Sequence, residues 1–262
     1  SYTDTKGADE LAEVIPSADW IGPPDNDAAL YPDGPLQGLI SLAGGIMAGF
    51  TGKRFCLSEA FLPHAWPIKY RITLDENIIA IAGTANGVAA LTKGRPYFVT
   101  GTDPSAMTAV KIDFAQACIN KKSVVDMGDY VLYAGPDGLC AGQGASGRVV
   151  TEGLLTPEQW QSGYYPDSYK AFLFEGKYIA FFTDGSGFIF DPTADGDTLT
   201  AFSPFHNDGG AFVAGLYRPE SGELLLLESQ GRELRRFRKD TDTRKIAKWQ
   251  SKTFVAPRPV SM

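Results

Sequence analysis

Five glycine-containing turns recur along the chain at nearly even spacing, each between two short apolar segments. The turns span residues 51–53, 93–95, 136–138, 184–187 and 229–231. Their glycines, Gly52, Gly94, Gly138, Gly187 and Gly231, are separated by steps of 42, 44, 49 and 44 residues. A period of about 40–50 residues with four strands in each unit is typical of a repeated, radially arranged sheet. The spacing therefore predicts an all-β fold, a β-propeller of about five four-stranded blades.

From residue 35 onward, each unit contains four short apolar runs bounded by Gly, Asp or Pro, which indicate strands rather than helices. The predicted strands are 38–42, 46–50, 54–58 and 66–73 in the first unit, and 78–82, 87–91, 96–100 and 108–114 in the second. They are 123–126, 130–134, 138–141 and 147–151 in the third, 169–174, 177–182, 188–190 and 198–202 in the fourth, and 211–217, 223–228, 232–238 and 246–255 in the fifth. Only residues 103–107 and 156–160 carry helix-start signals. A sandwich of antiparallel hairpins would also contain glycine turns, and it is the alternative architecture.

Residues 1–34 lack any strand or helix period apart from a plausible short strand at 11–15. Pro23–Pro24 and Pro32–Gly34 are turn signals. We therefore divide the chain into residues 1–34, an extended N-terminal arm or the end of an upstream module, and residues 35–262, the β-propeller domain. The first residue is Ser1 rather than Met, which suggests a processed chain or one piece of a longer protein.

The chain is acidic, with a formal net charge of −7. A broad nucleic-acid-binding surface normally has the opposite charge. One basic cluster is interleaved with Glu233, Asp240 and Asp242, so it predicts a solvated hairpin face, with a docking patch for an acidic partner as the alternative. The cluster consists of Arg232, Arg235, Arg236, Arg238, Lys239, Arg244, Lys245 and Lys248.

The three cysteines, Cys56, Cys118 and Cys140, form no CxxC pair. An odd number does not make a disulfide framework, so we expect free buried thiols and a reducing compartment. No run of 18 apolar residues is present, and none of the sequence predicts a membrane span.

Histidine and glycine patterns give little support for catalysis or cofactor binding. His64 and His206 lie in separate Pro/aromatic loops and do not form a zinc-ligand set. Gly142, Gly144 and Gly147 match the letters of a dinucleotide fingerprint, but a strand follows them, so a hairpin loop is the better interpretation. Residues 193–197 could chelate calcium, although a turn explains them better. We predict no catalytic, cofactor-binding or metal-binding residues, no cofactor, and a protein that is not an enzyme.

Carboxylates leave one enzymatic alternative open. Glycosidases act through a pair of carboxylates, and five-bladed propellers include such enzymes with acids around the central channel. The candidates near strand starts or turns are Asp75, Asp126, Asp137, Asp184, Asp191 and Glu228. The alternative function is therefore a propeller glycosidase or carbohydrate-binding module, and a cellular interaction propeller is a further one.

Six segments of the chain carry a family resemblance, residues 45–52, 58–67, 91–97, 101–107, 116–128 and 133–139. They resemble a family of bacteriophage virion proteins encoded near tail and head-completion genes. The likeness extends over roughly residues 10–185 and is most specific from Ser58 to Asp137. In architecture the family is similar to tail nozzle or tail accessory proteins of short-tailed phages.

The resemblance implies a non-enzymatic structural component of a phage tail, at the nozzle or the head-to-tail connection. It implies a homo-oligomeric ring, expected to be a hexamer, that contacts neighbouring tail or portal-adaptor proteins and through which DNA exits. The expected location is the virion tail, after synthesis in the bacterial host cytoplasm. An acidic balance suits such a conduit, because like charge lets DNA slide.

Overall fold

The computed structural model describes residues 21–194, 202–206, 211–218, 220–229 and 233–237. Within them the chain forms five antiparallel sheets in sequence order, four with four strands and the fifth with three. In every sheet the hydrogen-bonded order follows the chain order, so each sheet is a simple up-and-down meander. The fold is all-β, and its five sheets are consistent with the predicted five blades.

The strand bounds follow the predicted repeat closely. The first sheet contains β1 (Gln37–Ser41), β2 (Met47–Thr51), β3 (Arg54–Leu57) and β4 (Arg71–Thr73), and the second β5 (Ile78–Thr84), β6 (Gly87–Thr92), β7 (Tyr97–Thr100) and β8 (Thr108–Lys111). The third contains β9 (Val125–Asp126), β10 (Val131–Ala134), β11 (Leu139–Gln143) and β12 (Ser146–Val149). The fourth contains β13 (Lys170–Phe174), β14 (Lys177–Phe181), β15 (Ser186–Phe190) and β16 (Phe202–His206). The fifth contains β17 (Phe212–Arg218), β18 (Glu223–Glu228) and β19 (Leu234–Arg236).

Two predicted strands differ from the structure. The strand predicted at 66–73 is reduced to β4, because Pro67 precedes a 3-10 turn at Ile68–Tyr70. The strand predicted at 198–202 lies further along the chain, at β16. The predicted strands at 11–15 and 246–255 lie outside the described residues, and residues 21–34 of the predicted arm contain turns without a helix or strand.

The second and third strands of every sheet are joined at the position of a repeated glycine turn. Gly52 separates β2 from β3, and Gly94 and Gly138 occupy the same position in the next two sheets. Gly52 has a φ of 54°, a left-handed conformation that glycine adopts without steric strain. The repeated glycine turns of the sequence therefore mark the hairpin between the second and third strands of each sheet.

Four hydrophobic clusters fill the spaces between consecutive sheets. One joins sheets 1 and 2, the next sheets 2 and 3, the third sheets 3 and 4, and the fourth sheets 4 and 5. The first strands of neighbouring sheets also contact one another, β1 with β5, β5 with β9, β9 with β13 and β13 with β17. Successive sheets therefore stack face to face around the line of their first strands, and the sandwich alternative is wrong.

Strand β6 shows why the sequences of the middle strands are continuously apolar. Val88 and Ala90 belong to the cluster with sheet 1, whereas Ala89 and Leu91 belong to the cluster with sheet 3. Successive side chains of a strand point to opposite faces. A strand that is buried on both faces therefore needs apolar residues at every position.

Sheets 3 and 4 are additionally joined by buried polar groups in the connection that precedes β9. The Asn120 side-chain amide donates to the carbonyl oxygens of Pro166 and Tyr169, at 3.1 and 2.7 Å, and its oxygen accepts from the Lys122 amide at 2.9 Å. The Ser123 carbonyl oxygen accepts the Tyr178 hydroxyl at 2.8 Å. These hydrogen bonds cross from one sheet to the next. Because water is excluded there, removal of one hydrogen-bond partner lowers the free energy of unfolding substantially.

The single described α-helix, α1 (Pro157–Tyr164), lies in the connection between sheets 3 and 4. It begins as predicted, with Thr156 at the N-cap in a reciprocal capping box with Gln159 and with proline at the first helical position. Trp160 is fully buried, and its indole N–H donates to the Gly135 carbonyl oxygen at 2.9 Å. The helix is therefore fastened to the turn of sheet 3 as well as packed against sheet 4.

Replacing Gly187 by alanine tests the tight packing of sheet 4. A Cβ atom there would lie 2.0 Å from the Ala180 carbonyl oxygen and 2.7 Å from the Phe205 ring. We expect Gly187→Ala to lower the free energy of unfolding by about 2–4 kcal/mol, because backbone has to move. The matched control Gly163→Ala, in α1 with open space around its Cβ position, should raise it by about 0.5–1 kcal/mol. Urea denaturation followed by circular dichroism measures both, and a neutral Gly187→Ala would contradict this pairing of β14 with β15.

Replacing Asn120 by alanine tests the polar connection between sheets 3 and 4. The variant leaves the Pro166 and Tyr169 carbonyls and the Lys122 amide without their partner, so we expect a loss of about 2–4 kcal/mol in the free energy of unfolding. Asn86→Ala, at an exposed turn position, serves as the control and should change it by less than about 0.5 kcal/mol. Equal effects from the two variants would show that Asn120 does not join the sheets.

Candidate functional site: the axial cavities

Two neighbouring cavities follow the line where the first strands of the sheets meet. The larger, of about 820 Å³, is lined by residues 41–44, 83–88, 126 and 128–129 at the ends of the first strands. The smaller, of about 540 Å³, is lined by residues 37–38, 40, 79–83, 121–122, 124 and 126. Gly83 and Asp126 line both. A concave space along the axis is where a ligand-binding or catalytic site is expected in this fold.

The two ends of this axial space differ in charge. Asp126 and Asp129 border the larger cavity, where the first strands end. Lys121 and Lys122 border the smaller cavity, before β9 begins. Both lysines are exposed. Asp129 thus borders one end, the two lysines border the other, and Asp126 lines both cavities.

Three of the six candidate carboxylates are held in turns or loops away from the axial cavities. Asp75 accepts from Lys111 at 2.6 Å and from the Tyr97 hydroxyl at 2.7 Å, and these bonds lower its pKa. Asp137 accepts from the Gln116 amide at 2.5 Å. Asp184 accepts from the backbone and hydroxyl of Ser186 at 2.9 and 2.6 Å. Each of these acids fastens a connection between strands.

Two more candidates are in ion pairs. Asp191 pairs with Lys177 at 2.5 Å and accepts from Thr193, and these bonds lower its pKa to about 2. Glu228 pairs with Arg235 at 2.8 Å. Asp126 lines the axial cavities, and its Oδ1 accepts the Gly128 amide at 2.7 Å. The structure therefore does not bring the six acids together, and the carboxylate pair required by the glycosidase alternative is not assembled from them.

The histidine and glycine patterns have structural explanations where the structure describes them. His64 lies in the connection between β3 and β4, whereas the side chain of His206 lies outside the described residues. Gly142, Gly144 and Gly147 form the β11–β12 hairpin, as predicted. The calcium candidate at 193–197 falls largely outside the described part. Across the described residues, no group of three or more His, Cys, Asp or Glu side chains could hold a metal ion.

The three cysteines are free and buried, and burial was predicted for Cys56 and Cys140. Burial raises the pKa of Cys56 to about 11 and that of Cys118 to about 12, and it also raises the pKa of Cys140. A thiol with a raised pKa is a poor nucleophile at neutral pH, because the thiolate is the reactive form. These residues therefore act as small apolar groups of the core.

The described part of the basic cluster forms ion pairs. Arg235 contacts Glu228 and Glu233, and Arg236 contacts Glu223 at 2.8 Å. These ion pairs support the prediction that residues 233–237 belong to a solvated hairpin face. The other members of the cluster, apart from Arg235 and Arg236, lie outside the described residues.

Sequence reasoning missed two features of this molecule. The first is the lysine group at the axial end, whose only sequence signal is the adjacent pair Lys121 and Lys122 before a strand. The second is Phe61, which is 78% exposed and has a φ of 60°. Its ring lies over Gly45, and its amide donates to the Gly45 carbonyl oxygen at 2.9 Å. Neither a backbone φ nor exposure can be read from the letters.

None of the helices in the described residues is long and apolar enough to cross a membrane. No protein-family model and no curated protein sequence matches the chain.

Solved structures with a similar fold include AztD from Citrobacter koseri, with a TM-score of 0.50 and 10% sequence identity over 78% of this chain and 55% of that one. Hsv2 from Kluyveromyces lactis has a TM-score of 0.45 and 11% identity over 74% and 57% of the two chains. YCF48 from Cyanidioschyzon merolae has a TM-score of 0.38 and 14% identity over 66% and 51%.

The chain thus spans about half the length of the solved structures that it matches. Only the likeness to AztD is strong enough to carry an argument, and at 10% identity it concerns the fold alone. AztD is a β-propeller, and none of the three named structures is described as a phage tail protein. The comparison supports the β-propeller fold and leaves the resemblance to phage virion proteins without a structural counterpart.

Proposed function

We propose that the protein is a non-enzymatic structural component of a phage tail, at the nozzle or the head-to-tail connection. In this proposal, copies of the chain assemble into a ring, expected to be a hexamer, through which DNA leaves the particle, and the ring contacts neighbouring tail or portal-adaptor proteins. The observation that carries the proposal is the run of residues from Ser58 to Asp137, which resembles phage virion proteins.

The fold of that run suits a structural role. Residues 58–137 extend from the loop after β3 to the turn between β10 and β11, and thus include all of the second sheet. Gln116 and Asn120 in this run make hydrogen bonds that fix one sheet to the next. A rigid body with fixed loops is what repeated contacts around a symmetry axis require.

The β3–β4 loop supplies a surface through which copies could contact one another. Its Phe61 exposes a large aromatic ring in a left-handed backbone conformation, which costs a residue other than glycine on the order of 1 kcal/mol. Ile68 in the same connection is 61% exposed. Aromatic anchors of this kind are enriched at the centres of protein interfaces. We place the contact between neighbouring copies at this loop.

The charge of the chain agrees with transit of DNA rather than its retention. The net charge of −7 would repel a polyanion from most of the surface, whereas a basic lining would bind phosphates tightly. In the proposed ring, DNA passes through the opening between copies, because the axial cavities of one copy are only large enough for small molecules.

The test is the mass of the purified protein in solution together with its shape. Size-exclusion chromatography with light scattering should give a multiple of the 28.2 kDa chain, and negative-stain images should show rings. Phe61→Ser should shift the protein towards the monomer, because it removes the apolar anchor. The control Tyr165→Ser replaces another aromatic residue, 59% exposed, in the connection before β13 at the opposite end of the sheets, and should leave the rings intact.

Two results would contradict the proposal. One is a protein that stays monomeric at all concentrations and that hydrolyses or retains a polysaccharide. The other is a ring that Phe61→Ser and Tyr165→Ser weaken equally, which would remove the β3–β4 loop as the contact between copies.

A further inference from the structure

Three lysines converge at the end of the axial space where the first strands begin. Lys121 and Lys122 line the smaller cavity. Their 3-10 turn, Lys121–Ser123, contacts strand β13, whose first residue is Lys170. Two lysines thus line the cavity, and a third lies in the strand of the next sheet that their turn contacts.

The three lysines lack an acidic partner in the described part of the chain. The ion pairs formed there by lysine and arginine do not include Lys121, Lys122 or Lys170. The Lys170 ammonium donates instead to the Phe212 carbonyl oxygen at 3.1 Å. Burial lowers the pKa of Lys170, and the positive charge of Lys122 lowers it further. Like charges that repel one another in a concave site are stabilised by a bound anion.

The acid that lines the cavity, Asp126, does not neutralise the lysines. It forms no ion pair with either lysine of the lining, and its Oδ1 already accepts the Gly128 amide at 2.7 Å. It also borders the larger cavity, at the opposite end of the axial space. The lysine end therefore remains positively charged within a chain whose net charge is −7.

We propose that Lys121 and Lys122 bind a phosphate group at this end of the axial cavity, with the positive charge of Lys170 beside them. Phosphate offers several acceptor oxygens at once, which matches the two ammonium donors of the lining better than a single carboxylate would. The cavity, of about 540 Å³, continues from the lysines along an apolar wall that includes Ile40, Ile79 and Val124. The phosphate is therefore either free or attached to a small organic molecule that lies against this wall. The site is independent of whether copies of the chain form a ring.

Isothermal titration of the full chain with inorganic phosphate, and separately with phenyl phosphate, tests the site. At least one of the two should bind saturably with one site per chain, and the affinity should fall with added salt. Lys122→Glu should weaken binding by about tenfold or more, since it replaces a charge-assisted hydrogen bond by repulsion. Tighter binding of phenyl phosphate assigns the ligand to the organic phosphates, and equal binding assigns it to free phosphate.

Lys93→Glu is the matched control. Lys93 is exposed, and it lies in the β6–β7 turn at the same end of the sheets but away from the axis. The substitution changes the net charge by the same amount and should leave the affinity unchanged within about twofold. If circular dichroism shows that the glutamate variant is unfolded, Lys122→Met replaces it in the titration. Methionine keeps an unbranched apolar stem of similar length.

Two results would overturn the site. The first is the absence of saturable binding of either probe at low ionic strength. The second is an equal loss of affinity in Lys93→Glu and Lys122→Glu, which would show that phosphate responds to the overall charge of the protein.

Discussion

The rest of the structure depends on the need of each middle strand to bury both of its faces. In β14, Tyr178 and Ala180 pack towards sheet 3, while Ile179 and Phe181 pack towards sheet 5. Because neighbouring residues serve two different cores, the central positions of such a strand are apolar. Charged side chains occur instead at strand ends, such as Lys177 and Glu228, in the hairpin turns and in the connections between sheets.

The connections between sheets carry the polar bonds that the strands cannot. Gln116 bonds Asp137, Asn120 bonds the backbone before β13, and Ser123 donates to the Asn120 carbonyl oxygen at 2.7 Å and accepts the Ala134 amide at 2.8 Å. All three lie in residues 116–128, one of the segments that resembles phage virion proteins. Gln116 and Ser123 thus hold this segment against sheet 3, and Asn120 joins it to sheet 4. A resemblance there reports on the fold at least as directly as on the biological role.

Strand positions could be predicted because a strand that needs only apolar residues leaves a continuous signal between glycine turns. The failures have physical causes. Pro67 cannot continue a ladder, so the residues after it form a 3-10 turn instead of a strand. Pro204 lies within β16, although a proline argues against a strand. Because β16 is the outermost strand of its sheet, it can lack one backbone N–H donor without losing a bond to a neighbouring strand.

The site was less predictable than the strands. Asp75 and Lys111 are paired across 36 residues, and Lys122 approaches Lys170 only in the folded chain.

The separation of charge along the axis follows from the direction of the first strands. These strands run the same way in all sheets, so residues that precede them collect at one end and residues that follow them collect at the other. Lys121, Lys122 and Lys170 precede or begin first strands, whereas Asp126 and Asp129 end or follow one. Charges that are distant in sequence therefore add rather than cancel at each end of the axial space. A short lysine pair before one strand and a lysine at the start of the next place positive charge at one end of the axial space of an acidic protein, and Asp126, which lines both cavities, lies between the two ends.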